Sequence, residues 1–172
     1  NKKVFKRVMF FYKLSGYRLS ADEAYLIIRG LRTLDVRLKQ HYQNTKVVIN
    51  FLKKQKKIKE ILYPYKSSSK NYKLWKKYYT GANGLLSIVV KSKKKSSVIK
   101  FINSLELFGI GYSWGGFESL IILQELRSVS KYTKKRRYFR FKKDEHIVRL
   151  HIGLEDPKDL IEDLKRSLKH IK

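Results

Sequence analysis

The chain has 172 residues, enough for one domain with its own hydrophobic core, and its apolar content of 42% is ordinary for a globular protein. It contains no cysteine, which excludes disulfides, thiolate catalysis and zinc–thiolate sites and agrees with a cytoplasmic location. No apolar run reaches the length of a membrane span, so we expect no membrane partner.

The net charge of +27 would attract nucleic acid or an anionic surface. Lysine is spread over every segment, however, as compositional drift of an AT-rich genome would also produce, whereas nucleic-acid-binding proteins usually concentrate charge on one face. We therefore expect nucleic-acid binding that is only weak and non-specific. A basic nucleic-acid-binding module and a non-catalytic remnant stay open as alternative functions.

One long predicted helix dominates the N-terminal third of the chain. The first 18 residues are basic and aromatic, and Gly16 interrupts them. Ser20, with Glu23 three residues later, forms a capping-box pattern that marks a helix start. Apolar residues at helical spacing then predict one helix from about Ala21 to about Lys54.

The middle of the chain alternates strand-like and helix-like segments. In chain order these are a strand at residues 58–64, a short helix at 71–79, a strand at 85–90, a helix at 98–105 and a strand at 108–113. The segment that follows, residues 127–143, is strongly basic and has no clear periodicity.

The C-terminal stretch "HIVRLHIG" alternates apolar and polar residues, which predicts a strand with Arg149 and His151 on its polar face. Asp156 followed by Pro157 is typical of a helix start. Because no βαβ series runs through the chain, the pattern predicts an α+β fold. We expect a small antiparallel sheet covered on one face by helices and preceded by a long N-terminal helix.

The residues alone give no self-contained catalytic constellation. No Gly-rich phosphate loop precedes a helix, and the acidic residues at 155, 156 and 159 are typical of a helix start rather than of an acid/base pair. The four histidines lack metal-ligand spacing, and we interpret each as a surface or interface residue: His41, His146, His151 and His170.

Two features remain as candidate functional elements. Arg149 is either a solvated residue on a polar strand face or a guanidinium presented to a carboxylate, which its planar fork binds bidentately. The stretch "GYSWGG", which begins at Gly111, is either an aromatic bend at a sheet edge or a loop that approaches a ligand closely. In the second interpretation Ser113 is a donor and Trp114 a wall.

Four segments, "AYLIIRGLRTLDVRLKQH", "LWKKYYTGANGLLSIVVK", "LFGIGYSWGGFESL" and "VRLHIGLEDPKDLIEDL", together resemble the C-terminal part of the cystathionine β-lyases. These enzymes belong to the Cys/Met-metabolism branch of the pyridoxal-phosphate enzymes. The resemblance covers roughly residues 14–171, and "YSWGG" with "RLHIGLED" favours the β-lyases within that branch.

The resemblance implies a C-terminal domain of a fold-type I pyridoxal-phosphate enzyme. Residues 20–172 would be the substrate-recognition domain, and residues 1–19 a remnant of the linker from an upstream cofactor domain. By the same resemblance, Arg149 binds the α-carboxylate of the substrate, and Ser113 and Trp114 lie beside that carboxylate. Tyr112 matches the same motif, with a less definite role.

The implied reaction is β-elimination of cystathionine to homocysteine, pyruvate and ammonia, a transsulfuration step of methionine biosynthesis. The cofactor, pyridoxal phosphate, would be bound mainly by the upstream domain, since the cofactor-binding motifs of the family lie upstream of this chain. We assign no catalytic, cofactor-binding or metal-ligating residue here and expect the chain to be inactive alone. Its expected partners are a small amino-acid substrate and either the upstream domain or further copies in a homo-oligomer.

Overall fold

A computed structural model describes residues 1–65, 67–125 and 142–172. These residues form two compact units, Asn1–Val36 and Arg37–Lys172. The basic segment without periodicity, residues 127–143, lies almost entirely outside the described residues. Within the described residues no helix is long and apolar enough to cross a membrane.

The first unit holds helix α1, Lys2–Ser15, and helix α2, Ala21–Arg32. Gly16 ends α1 in the left-handed conformation with φ of 67°, which glycine adopts without steric cost. The predicted capping box starts α2: the Ser20 hydroxyl accepts from the Glu23 N–H at 3.2 Å, and the Glu23 carboxylate accepts from the Ser20 N–H at 2.8 Å. Neither helix has a buried residue, so their apolar side chains are exposed.

The single long helix predicted from Ala21 to Lys54 was wrong, because a break at Thr33 separates α2 from helix α3, Leu34–Leu52. The backbone N–H of Thr33 donates to the Gly30 carbonyl at 3.3 Å, and its hydroxyl contacts the same oxygen at 3.4 Å. Glycine weakens a helix, and threonine offers its carbonyls a competing partner. The apolar periodicity continues across the break and therefore conceals it.

The described residues of the second unit form one five-stranded sheet. The strands are β1 Ile58–Leu62, β2 Leu85–Lys91, β3 Gly109–Ile110, β4 Leu120–Gln124 and β5 Glu145–His151, and their spatial order is β1-β2-β5-β4-β3. Neighbours are antiparallel except for β3 and β4, which are parallel. The α+β class is confirmed, but β4 was not predicted and β3 is much shorter than the strand predicted at 108–113.

One face of the sheet is the core face. It packs against the C-terminal half of α3 and against two further helices, α5 Lys95–Asn103 and α6 Pro157–Leu168. Strand residues on this face are in register across the three central strands, as Leu86, Leu150 and Ile121 illustrate. Asp156 caps α6 and Pro157 opens it, as predicted.

The opposite face carries the candidate site. Here Ser87 on β2, Arg149 on β5 and Ile122 on β4 are in register. Because side chains alternate along a strand, Arg149 points away from the core side chains of its neighbours Val148 and Leu150. The short helix α4, Tyr72–Tyr78, lies beside this face, since its side chains and Arg149 line one cavity.

Candidate functional site

Arg149 is held in place by a backbone carbonyl. Its side chain is half-buried, and one guanidinium nitrogen donates a hydrogen bond to the carbonyl oxygen of Tyr112. The guanidinium carbon also lies 5.9 Å from the centre of the Tyr112 ring, within the range of a cation–π contact. A guanidinium has five N–H donors, so the bond to Tyr112 leaves others for a ligand.

The loop after β3 carries the other predicted site residues. Tyr112 and Trp114 are 74% and 60% exposed, and the Ser113 side chain is also exposed. Gly115 has φ of 84°, a conformation that strains any residue with a side chain, which explains one glycine of the pair. The structure thus brings Tyr112 to Arg149. Ser113 and Trp114 lie on the same loop in solvent, and their predicted roles stay predictions.

The far end of this loop is fastened to the segment that follows β5. Ser119 is fully buried: its N–H and hydroxyl donate to the two carboxylate oxygens of Glu155, at 2.6 and 2.9 Å. The same hydroxyl accepts from the Gly153 N–H at 2.8 Å. A side chain on Gly153 would collide with the Phe117 carbonyl and the Glu155 carboxylate. Glu155, predicted as a helix-start charge, therefore serves as a structural anchor.

Helix α3 fixes the same segment from the other side. The Asn44 amide donates to the carbonyls of Gly153 and Glu155 at 3.0 and 2.9 Å. Nδ1 of His41 contacts the Ile152 carbonyl at 2.8 Å. The end of β5 and the segment after it are therefore held by side chains from two other parts of the sequence, α3 and Ser119.

His41 and His151 form a buried pair, with ring centres 5.1 Å apart and each side chain only 2% exposed. Their assignment as surface or interface residues was therefore wrong. Burial lowers the pKa of His151, and the nearby His41 and Arg149 act in the same direction. A neutral His151 with its proton on Nε2 donates to the Gly116 carbonyl at 3.1 Å and accepts from the Gly115 N–H through Nδ1 at 3.4 Å.

An open cavity of about 700 Å³ lies beside Arg149. Its walls are mainly apolar, with five aromatic side chains from the segment that follows β1 and from α4 and the residue after it: Tyr63, Tyr65, Trp75, Tyr78 and Tyr79. Arg149 is the one cation among the described residues of its lining, and no described lysine lines it. Ligand pockets of proteins commonly fall in this range of volume and combine apolar walls with few polar groups.

Reasoning from sequence missed this cavity and the Ser119–Glu155 anchor. Their members are far apart in the chain: Ser119 and Glu155 are 36 positions apart, and the cavity is lined by residues from Leu62 to Arg149. The aromatic run around Trp75 was the one available signal, and it indicated only a short helix. The buried Ser119 hydroxyl gave no local signal, because its partners are tertiary.

Comparison with known proteins identifies the family. A family model for Cys/Met metabolism PLP-dependent enzymes matches residues 1–169. A cystathionine beta-lyase of Bordetella avium is 39% identical over 153 residues, which are 89% of this chain and 37% of that protein. An L-alanine/L-glutamate racemase of Wolbachia pipientis wMel is 37% identical over 166 residues, 96% of this chain and 40% of that protein.

A solved structure is similar in fold as well as sequence. The putative O-acetylhomoserine (thiol)-lyase of Campylobacter jejuni, which carries N'-pyridoxyl-lysine-5'-monophosphate, superposes with a TM-score of 0.67 at 34% identity. The match covers 86% of this chain and 32% of that one. This chain thus spans about two fifths or less of the length of these relatives. By the extent of the family match and these identities, the chain belongs to the Cys/Met metabolism family of pyridoxal-phosphate-dependent enzymes.

Proposed function

We propose that this chain is the carboxylate-recognising part of a carbon–sulfur lyase that converts cystathionine to homocysteine, pyruvate and ammonia. The observation that carries the proposal is Arg149, a half-buried guanidinium fixed by the Tyr112 carbonyl at the edge of a cavity. The 39% identity to a cystathionine beta-lyase supports the choice of reaction.

In this proposal Arg149 binds the substrate α-carboxylate through the donors that Tyr112 leaves available. A bidentate pair fixes the amino acid in one orientation, so that its Cα–H bond is presented to a base. Ser113 adds a hydrogen-bond donor near the carboxylate, and Trp114 shields the carboxylate from water. The hydrogen bond to Tyr112 keeps the guanidinium from rotating away before the substrate arrives.

The described residues of the cavity do not fit the cofactor itself, since no described lysine lines it for the covalent attachment that the family requires. Pyridoxal phosphate supplies the electron sink of such reactions. In this proposal a cofactor domain outside residues 1–172 provides that lysine. Residues 20–172 act as the substrate-recognition domain, residues 1–19 as the linker, and the exposed apolar side chains of α1 and α2 contact a partner domain or subunit.

A second candidate reaction is amino-acid racemisation. The racemase of Wolbachia pipientis wMel matches 96% of this chain, more than the 89% matched by the lyase. Both reactions begin by removing the Cα proton of an amino acid whose carboxylate is fixed. Arg149 would serve either reaction, so the products must decide between them.

The test uses an enzyme assembled from this chain and the upstream part of a related lyase, with pyruvate release from cystathionine and alanine racemisation measured in parallel. Arg149→Ala should lower kcat/KM at least about tenfold, because charge-assisted hydrogen bonds contribute about 1.5–3 kcal/mol. Arg149→Lys should not restore activity, since it keeps the charge but loses the fork. The absorption of the bound cofactor should stay unchanged in both variants.

A substrate analogue with an amidated α-carboxylate is the matched control. The analogue has no charge for Arg149 to bind, so the Arg149→Ala loss should shrink towards zero. Full activity of Arg149→Ala, or an equal loss with the analogue, would show that the carboxylate assignment is wrong. Racemisation without pyruvate release would replace the lyase proposal by the second candidate.

A further inference from the structure

We propose that the cavity beside Arg149 is a binding site for a small carboxylate that bears an aromatic group. The carboxylate binds Arg149, and the ring occupies the apolar part of the cavity. This inference shares Arg149 with the proposed function but needs neither the cofactor nor the reaction, so each can fail without the other.

The apolar part of the cavity has walls that are already packed. The Tyr65 ring lies edge-on to Trp75 at 4.4 Å and to Tyr42 at 4.7 Å, and Tyr72 stacks on Trp75 at 5.8 Å. Tyr63 is buried, and its hydroxyl donates to the Asn83 carbonyl at 2.9 Å. Walls that are held before a ligand arrives reduce the conformational cost of binding.

The aromatic lining of the cavity favours a ligand that contains a ring. Aromatic side chains prefer edge-to-face or offset contacts with another ring, which contribute beyond the area they bury. Tyr78 and Tyr79 line the same cavity and are 64% and 65% exposed, so the aromatic ring of a bound ligand would shield them from water. An aliphatic chain without a ring would gain burial but not these contacts.

The polar part of the cavity selects an anion. Arg149 forms no ion pair with any described carboxylate, and no described acidic residue lines the cavity. Ser87 pairs with Arg149 across β2 and β5, and both residues line the cavity. A guanidinium at one end of an apolar cavity matches an amphiphilic carboxylate better than a fully polar one.

The experiment uses the full chain with both of its tryptophans, and isothermal titration calorimetry measures ligand binding. Titration with 3-phenylpropanoate should give a saturable binding isotherm. Propanoate, which lacks the ring, and 3-phenylpropanamide, which lacks the charge, should each bind at least about tenfold more weakly. Binding of 3-phenylpropanoate should weaken only modestly at physiological salt.

Three further variants identify the parts of the site. Arg149→Gln should reduce binding of the acid to that of the amide, and Tyr79→Ala should weaken it several-fold. Tyr25→Ala is the matched control, since Tyr25 is 60% exposed on α2 and does not line the cavity, and it should bind like the parent.

Any one of three results would overturn the inference. One is equal binding of propanoate and 3-phenylpropanoate, which would indicate attraction by the overall positive charge alone. The second is the absence of saturable binding, and the third is binding that neither Arg149→Gln nor Tyr79→Ala changes. None of these results bears on whether the assembled enzyme needs Arg149 for pyruvate release, which tests the proposed function separately.

Discussion

Replacing Ser119 by alanine should destabilise the fold strongly although it removes only one oxygen. The hydroxyl is fully buried, accepts from the Gly153 N–H at 2.8 Å and donates to Glu155 at 2.9 Å. Alanine fits the same space, so no packing is lost. The Ser119 N–H still donates to the other oxygen of Glu155, so the anchor is weakened rather than abolished.

The magnitude follows from the groups left without partners. A buried donor that loses its acceptor costs about 1–3 kcal/mol, and a lost hydrogen bond to a charged group costs about 1.5–3 kcal/mol. Because the two losses share one site and the segment can relax, we expect a total of about 2–4 kcal/mol. This is a large part of the roughly 5–15 kcal/mol by which most domains are stable.

Urea unfolding at pH 7.5, followed by far-ultraviolet circular dichroism, measures this difference. Ser113→Ala is the control, since Ser113 lies on the same loop with an exposed side chain, and its effect should stay within about 0.5 kcal/mol. A Ser119→Ala protein that unfolds within about 0.5 kcal/mol of the parent would refute the anchor. A large equal loss in both variants would instead point to a general sensitivity of the loop.

Two further predictions concern buried ionisable groups. Since burial lowers the pKa of His151 below its ordinary 6.5, the unfolded chain binds this proton more readily, and the free energy of unfolding should fall as pH drops below about 6.5. His151→Gln should flatten this dependence in unfolding curves, and a slope equal to that of the parent would argue against the buried pair. Asp163→Asn should lower the free energy of unfolding by about 2–3 kcal/mol in the same assay. The reason is that the buried carboxylate accepts from the Glu106 and Leu107 N–H groups at 3.1 and 2.9 Å. An unchanged free energy of unfolding would contradict this prediction.

Local signals in the sequence predicted the local structure well. The capping box at Ser20 and the cap at Asp156 both form, because the groups they join lie within three residues of each other. The apolar periodicity of α6 likewise predicts its buried face, of which Leu160 and Leu164 are fully buried. These patterns depend on helix geometry alone and need no tertiary information.

The contacts that shape the candidate site could not be predicted in this way. The pairing of His41 with His151 and of Ser119 with Glu155 depends on how α3, β4 and β5 come together, which no local pattern encodes. The apolar run at Leu120 has no alternation, so its strand could not be distinguished from other buried segments. The resemblance to a known family supplied the interpretation of Arg149 that the residues alone left open between two alternatives.

The loop between β3 and β4 and the strand β5 depend on each other, and this bears on how Arg149 could work. Tyr112 near one end of the loop accepts from Arg149, His151 contacts Gly115 and Gly116 in its middle, and Ser119 holds the segment after β5. Arg149 and His151 both lie on β5, so one strand fixes the loop at two points while the loop fixes the guanidinium. The guanidinium of Arg149 is therefore already fixed in position before a ligand binds. Binding then loses little conformational entropy, because that side chain was ordered when the protein folded. A lysine at position 149 would lose this arrangement as well as the fork, because its single nitrogen cannot bind both the Tyr112 carbonyl and both oxygens of a carboxylate in one plane.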